Sequence, residues 1–289
     1  MSDVIVDKLQ SFNSQELSNL ALAYSPHAVP CERLYASISA EVIRRIDELS
    51  PHDIAIVAYA YSRGSIHDDL MFDALGNAAV NRLTHFNSHD ISKTCWAFAK
   101  AAVPAAALFN AVAQHAAPRL SEFNAQELAN LSWSFARANV PAWRLFDAIG
   151  AEAASRLGEF NAQDLSNTAW ALAEVGYSNH ALFESIALAA HDRIDERPLE
   201  FTEQGLWMLL HALSDMPIRS AEFSAAVDAI AQQRALCVGE LRQAREMDEL
   251  QLDPWSTICG MSSMGLPAAD EPMLQLGVSA GRWRTVHGL

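Results

Sequence analysis

The amino-acid sequence predicts an all-α protein, an α-solenoid of about six to seven helical-hairpin repeats with a period of 37 residues. Three observations carry that expectation. Phe12, Leu49, Phe86, Phe123 and Phe160 stand 37 residues apart, and Phe201 follows after 41. A helix-start signature comes directly after each of them. No segment alternates apolar and polar residues over a useful length, so no sheet is expected.

The first helix of each unit, helix A, begins where a capping side chain can satisfy an orphan backbone N–H. The pairs are Asn13 with Glu16, Ser50 with Asp53, Asn87 with Asp90, Asn124 with Glu127 and Asn161 with Asp164. Each has the spacing of a capping box. Thr202 keeps the cap in the sixth unit, but Gly205 lacks the reciprocal acid. The apolar residue before each cap can pack on Leu17, Ile54, Ile91, Leu128, Leu165 or Leu206, as a hydrophobic staple.

A second helix, helix B, is marked by Pro30, Pro104, Pro141 and Pro217, with His67 and Ser178 in the other units. Proline is expected in its first turn, where no N–H is needed. In the fourth unit Leu145, Phe146, Ile149, Ala153 and Leu157 recur at helical spacing. Helix A of that unit has one apolar face at Leu128, Leu131, Ser132 and Phe135 and another at Ala129, Trp133 and Ala136. So wide an arc suits a helix sandwiched between neighbours. Helix B turns Arg144, Asp147, Ala151 and Ser155 outward. Helix A should therefore line the concave face and helix B the convex one. Residues 1–289 read as a single domain, with regular repeats over 12–213, degenerate capping repeats over 214–281 and a tail at 282–289. A weak seventh helix A is expected at 254–267.

Hydrophobic residues make up 51% of the chain and charged residues 19%, enough to build a core. The net charge of -15 argues against a surface devoted to nucleic acid or anionic lipid, but leaves room for a local basic face. Cys31, Cys95, Cys237 and Cys259 form no C-x-x-C pair and read as buried, reduced thiols of an intracellular protein. No apolar run suits membrane insertion, and the opening residues resemble neither a signal peptide nor an Arg-rich transit peptide. There is no nucleophile elbow, no phosphate loop and no pair of catalytic carboxylates. His85 precedes the helix that carries His89, so the two do not share a ligand face. A non-enzymatic protein with no metal and no cofactor is expected.

The run from Gln126 to Ala136, preceded by Pro118, Arg119 and Leu120, resembles the octotricopeptide repeat family. The likeness covers about residues 12 to 213. Trp96, Trp133 and Trp170 match the family tryptophan, and Leu22, Tyr59 and His211 replace it in the other units. The resemblance implies an α-solenoid that binds RNA in chloroplasts or mitochondria and serves transcript maturation, stability or translation. The RAP domain of some members is not evident over 214–289, which removes the basis for a nuclease-like activity.

The candidate RNA-binding residues lie on a stripe of helix A. They are Gln15 and Asn19; His52 and Arg63; His89, Lys93 and Lys100; Gln126, Asn130 and Arg137; and Gln163 and Asn167. Gln, Asn and His can bond to base edges, and helical-repeat readers use two or three such side chains per base. The stripe as drawn also passes through Ala23, Pro26, Ile56, Ala60, Ala97, Ser134, Ala171, Gln204, Met208 and Ala212. Glu174 and Asp215 end its basic part. Arg45, Arg82, Arg119, Arg156 and Arg193 recur every 37 residues. Phosphate contact is one reading of them; the favoured one is structural cations that suit the helix B dipole and pair with acids such as Glu127. The tryptophans are of a kind that can stack on bases, but with Trp133 at the edge of the apolar arc they read rather as inter-repeat packing. The partner is single-stranded RNA, or alternatively a protein in a larger assembly, for which the acids Asp68, Asp69, Asp73, Asp147, Glu184 and Asp192 on helix B or in turns would suit a basic surface.

Overall fold

The computed structural model describes residues 5–25, 32–214, 216 and 220–249. Twelve α-helices and no strand occur among them. They are α1 (Ser14–Tyr24), α2 (Glu32–Arg44), α3 (Pro51–Arg63), α4 (Asp69–Asn81), α5 (Ser88–Lys100), α6 (Ala106–Ala116), α7 (Ala125–Arg137), α8 (Trp143–Arg156), α9 (Ala162–Glu174), α10 (His180–Glu196), α11 (Glu203–Leu213) and α12 (Ala221–Glu249). The chain divides into two units, Met1–Cys237 and Val238–Leu289. In the second, only helical backbone as far as Glu249 is described. The expected seventh helix A and the tail lie outside the described residues.

Within the first unit α1 to α10 pair into five of the expected hairpins, and the part of α12 before Val238 is tied to α11 by Arg234 with Glu203. Odd-numbered helices are the A helices, and each packs along its neighbour in an unbroken row. Successive even-numbered helices meet more sparsely. The A helices thus form the closer-packed row, the one that lies inside where such a stack curves.

Local chemistry sets the start of every A helix. The side chains of Asn13, Ser50, Asn87, Asn124, Asn161 and Thr202 each accept the N–H three residues on, and Asn13, Ser50, Asn124 and Asn161 complete reciprocal boxes. The ends are equally regular. Ser65, Ala102 and Asn139 have φ of 52°, 55° and 53°, and Gly176 has 73°. The following N–H of Ile66, Val103, Val140 and Tyr177 reaches back to the carbonyl of Tyr61, Phe98, Phe135 and Leu172. That bond defines a Schellman turn. The prolines are placed differently from expectation. Pro104 and Pro141 precede the N-caps Ala105 and Ala142 rather than standing in the first turn of the B helix. Proline keeps its predecessor out of the α region, which suits Val103 and Val140 where the chain leaves the Schellman turn. Pro30 and Pro217 lie outside the described residues.

One aromatic interlock recurs between repeats. Tyr35 on α2 meets Tyr61 on α3 edge to face at 5.1 Å between centroids; Phe72 on α4 meets Phe98 on α5 at 5.1 Å; Phe109 on α6 meets Phe135 on α7 at 5.0 Å. Each ring of a B helix thus plugs the A helix of the next repeat. Tyr61 also donates to the Tyr35 carbonyl at 2.7 Å, and burial pushes its phenol pKa upward. Cys95 is buried and its thiol is likewise pushed up by desolvation. Cys237 is only partly buried, short of the expected burial, because it lies on the one-sided helix α12. Cys31 and Cys259 lie outside the described residues.

The seventh residue after the A-helix cap is apolar in Val57 and Leu131 but is Thr94 in α5 and Thr168 in α9. Both threonine hydroxyls are buried without a hydrogen-bond partner. Replacing either by valine is expected to raise stability by about 1 kcal/mol, because an unpaired hydroxyl is removed at nearly constant volume. A denaturant midpoint that does not rise for Thr94→Val or Thr168→Val would show that the hydroxyl has a partner after all.

Candidate nucleic-acid interface

The open side of the A row is set by helix geometry. At 3.6 residues per turn, positions two, six, nine and thirteen after the cap fall on one face. Position two holds Gln15, His52, His89, Gln126 and Gln163, all exposed. Position six holds Asn19, which is exposed, and Lys93, Asn130 and Asn167, which are partly buried. Position thirteen holds Arg63, partly buried, and Lys100, Arg137 and Glu174, exposed. The twelve candidate side chains therefore share the inner row.

The tenth position does not share it. Ala60, Ala97, Ser134, Ala171 and Ala212 are buried, as are Ile56 and Met208 at position six, whereas Ala23 of the first repeat is exposed. Position ten is rotated toward the neighbouring A helix, and small residues there permit the close row. Pro26 and Asp215 lie outside the described residues. The ninth position takes the place of the tenth on the face. Tyr59, Trp96 and Trp133 are partly buried and form a ladder, with centroids 5.3 Å apart from Tyr59 to Trp96 and 6.3 Å from Trp96 to Trp133. Trp170 continues it as a buried ring packed with Ala171 and Met208. Inter-repeat packing by the tryptophans is thus observed, but Trp96 and Trp133 also contribute to the surface. Their angular position between positions two, six and thirteen was the signal for it in the sequence.

Polar contacts tie some of these side chains into the scaffold. His52 Nδ1 lies 3.1 Å from an Asp90 carboxylate oxygen, and His89 Nδ1 lies 3.5 Å from Glu127. Ser18 donates to Asp53 at 2.9 Å in the same relation between repeats one and two. The Lys93 ammonium sits 5.5 Å from the Tyr59 ring centroid, a cation–π contact. Burial lowers the Lys93 pKa, against the opposing charge of Asp90. Glu174 faces His211 at 3.6 Å, and His211 stacks on Trp207. Among the described residues no cluster could hold a metal ion, and no helix is long and apolar enough to cross a membrane.

The recurring arginines are structural, but not with the expected partner. Each of Arg45, Arg82, Arg119 and Arg156 sits at the bend where helix B gives way to a 3-10 turn. Arg45 donates to the Phe12 carbonyl, Arg82 to Leu49 and Arg156 to Phe123, so each closes the base of its own hairpin. Their acidic partners are Glu48, Glu122 and Glu159 in the adjoining 3-10 turns. Glu127 instead accepts from the Asn124 backbone N–H, as a cap requires.

Asp164 differs from the other capping acids. Burial raises its pKa from 3.8 to about 6, only partly opposed by the Asn161 N–H and the charge of Arg193. Between those values the folded chain holds a proton that the unfolded chain has released. Its contribution therefore falls as pH rises from about 4 to about 6, by up to about 3 kcal/mol. Asp164→Asn should remove that slope and gain stability at neutral pH. Denaturation of both proteins across this range checks it; parallel pH profiles would refute the raised pKa.

Residues 2–154 of the 289 match the family described as RNA-editing substrate-binding complex 6 protein. No curated protein matches the chain.

Proposed function

Because the chain belongs to the RNA-editing substrate-binding complex 6 protein family, we propose that it is a non-enzymatic component of an RNA-handling assembly and binds single-stranded RNA on the inner face of repeats two to four. The carrying observation is a contrast among its cations. Arg45, Arg82, Arg119, Arg156 and Arg193 are engaged by carbonyls or carboxylates at the hairpin bases. Arg63, Lys100 and Arg137, at one position of three consecutive A helices, make no ion pair or side-chain hydrogen bond among the described residues. They stand beside the aromatic ladder. Free cations next to stackable rings suit a single-stranded polyanion with exposed bases. The family name and the octotricopeptide likeness support the same ligand class, and the latter supports a chloroplast or mitochondrial location.

Filter binding of single-stranded RNA across a salt series tests this. Three phosphate contacts predict a log–log slope of about −2. The combined Arg63→Glu, Lys100→Glu and Arg137→Glu variant should lose about tenfold per contact or more. Wild-type binding at background level, or an unaffected triple variant, would refute the reading.

The net charge of -15 favours a second reading, a protein scaffold for a basic partner. Asp69, Asp73, Asp147 and Asp192 are exposed on the B helices. Stoichiometric co-purification of a protein that survives nuclease treatment would support it; a monomer that retains only RNA would remove it.

A further inference from the structure

The inner face is not uniform along the A row. In repeats two and three the side chains able to read a base edge are tethered to the scaffold at one point each, His52 and His89 through Nδ1 alone. His52 is held by Asp90, His89 by Glu127, and Lys93 lies over Tyr59. Untethered there are the charges of Arg63 and Lys100 and the aromatic surface of Tyr59 and Trp96, which Trp133 of repeat four continues. Charge and stacking bind any sequence, because every nucleotide has a phosphate and a π-face. The rings stand 5.3 Å and 6.3 Å apart. A base inserted between two rings needs about 7 Å, twice the stacking distance, so the ladder meets bases along its open edge.

Repeats four and five are built differently. Gln126 and Asn130 on α7, and Gln163 and Asn167 on α9, make no side-chain hydrogen bond with the protein among the described residues. Each amide offers donors and an acceptor side by side, the arrangement that pairs with a base edge. The cationic row ends in the same region, where Glu174 replaces Arg137 and faces His211.

We infer that the RNA site is bipartite: repeats two to four grip backbone and rings without regard to sequence, and the amides of repeats four and five discriminate between bases. This rests on the RNA-binding reading above and adds where specificity resides.

Fluorescence polarisation with labelled oligouridine, oligoadenosine and oligocytidine tests the division. Arg63→Gln and Lys100→Gln should weaken all three by the same factor, each reducing the salt slope by about 0.7. Gln126→Ala with Asn130→Ala, and Gln163→Ala with Asn167→Ala, should change the ratios between the three and leave the salt slope as it was. Circular dichroism establishes that the variants fold. Binding by the wild type with equal affinity for all three overturns the inference and leaves the RNA reading standing. So does a uniform loss in the amide variants, or altered ratios in the cation variants. No binding of any oligonucleotide at low salt overturns both.

Discussion

Phe135→Ala is expected to cost about 4 kcal/mol. Phe135 is fully buried on α7, where its ring meets Phe109 of the preceding repeat at 5.0 Å and Phe146 of its own repeat at 6.4 Å, both edge to face. Truncation removes the transfer energy of the ring, opens a cavity between three helices and breaks two aromatic contacts worth about 1 kcal/mol each. Phe135→Leu retains most of the volume and should cost about 1.5 kcal/mol. Trp133→Ala, two residues away on the partly open face, should cost less than Phe135→Ala although more atoms are removed. The interlock also has a positional consequence. In a stack stabilised by nearest-neighbour interfaces, a lesion at one interface loosens the repeats on either side before distant ones. Hydrogen exchange should therefore quicken first in α6, α7 and α8. A loss below about 2 kcal/mol, or exchange that quickens uniformly, would show that the aromatic interlock does not couple the repeats.

What the sequence disclosed was mainly what the chain does locally. An asparagine cap and its reciprocal acid act within four residues, so Asn13, Asn124 and Asn161 could be placed without knowing their neighbours, and their boxes are present. The 37-residue period disclosed the order of the hairpins. The Schellman turns were harder to see. Gly176 and Asn139 are ordinary residues for φ above zero, but Ser65 and Ala102 are not, and the same closing bond from the next N–H is made at all four. Of the four stripe positions, three fall together by helix geometry and the tenth does not. Positions two, six and thirteen carry the twelve candidate side chains, while the Ala97 position was buried and the Trp96 position took its place. An apolar side chain on an inner helix gives the same sequence signal whether it packs or is half open. The commitment of His52 and His89 was not legible either, because their partners Asp90 and Glu127 are capping residues of the next repeat.

Arg82→Ala is expected to cost about 3 kcal/mol, far more than deletion of an ordinary surface arginine. The Arg82 guanidinium donates to the Leu49 carbonyl at 2.7 Å and the Ile46 carbonyl at 3.1 Å, and reaches the Asp47 carbonyl at 3.5 Å. Its Nε donates to the Ala78 carbonyl at 3.3 Å. One planar fork thus closes the hairpin of α3 and α4 and clips the 3-10 turn that joins it to the repeat before. Bonds from a charged donor are worth about 1.5–3 kcal/mol each, but carbonyls that regain water return part of that. The fork geometry is the reason for arginine at this bend. A lysine is a single point of charge with no fixed spread, so Arg82→Lys should recover less than half of the loss. Arg197 provides the contrast: its pair with Glu200 is exposed, with Arg197 64% accessible, and Arg197→Ala should leave the denaturant midpoint essentially where it was. Denaturant midpoints order the three variants, and hydrogen exchange in α1 to α4 locates the damage. Equal midpoints for Arg82→Ala and Arg197→Ala would mean that the repeats are held by apolar packing alone.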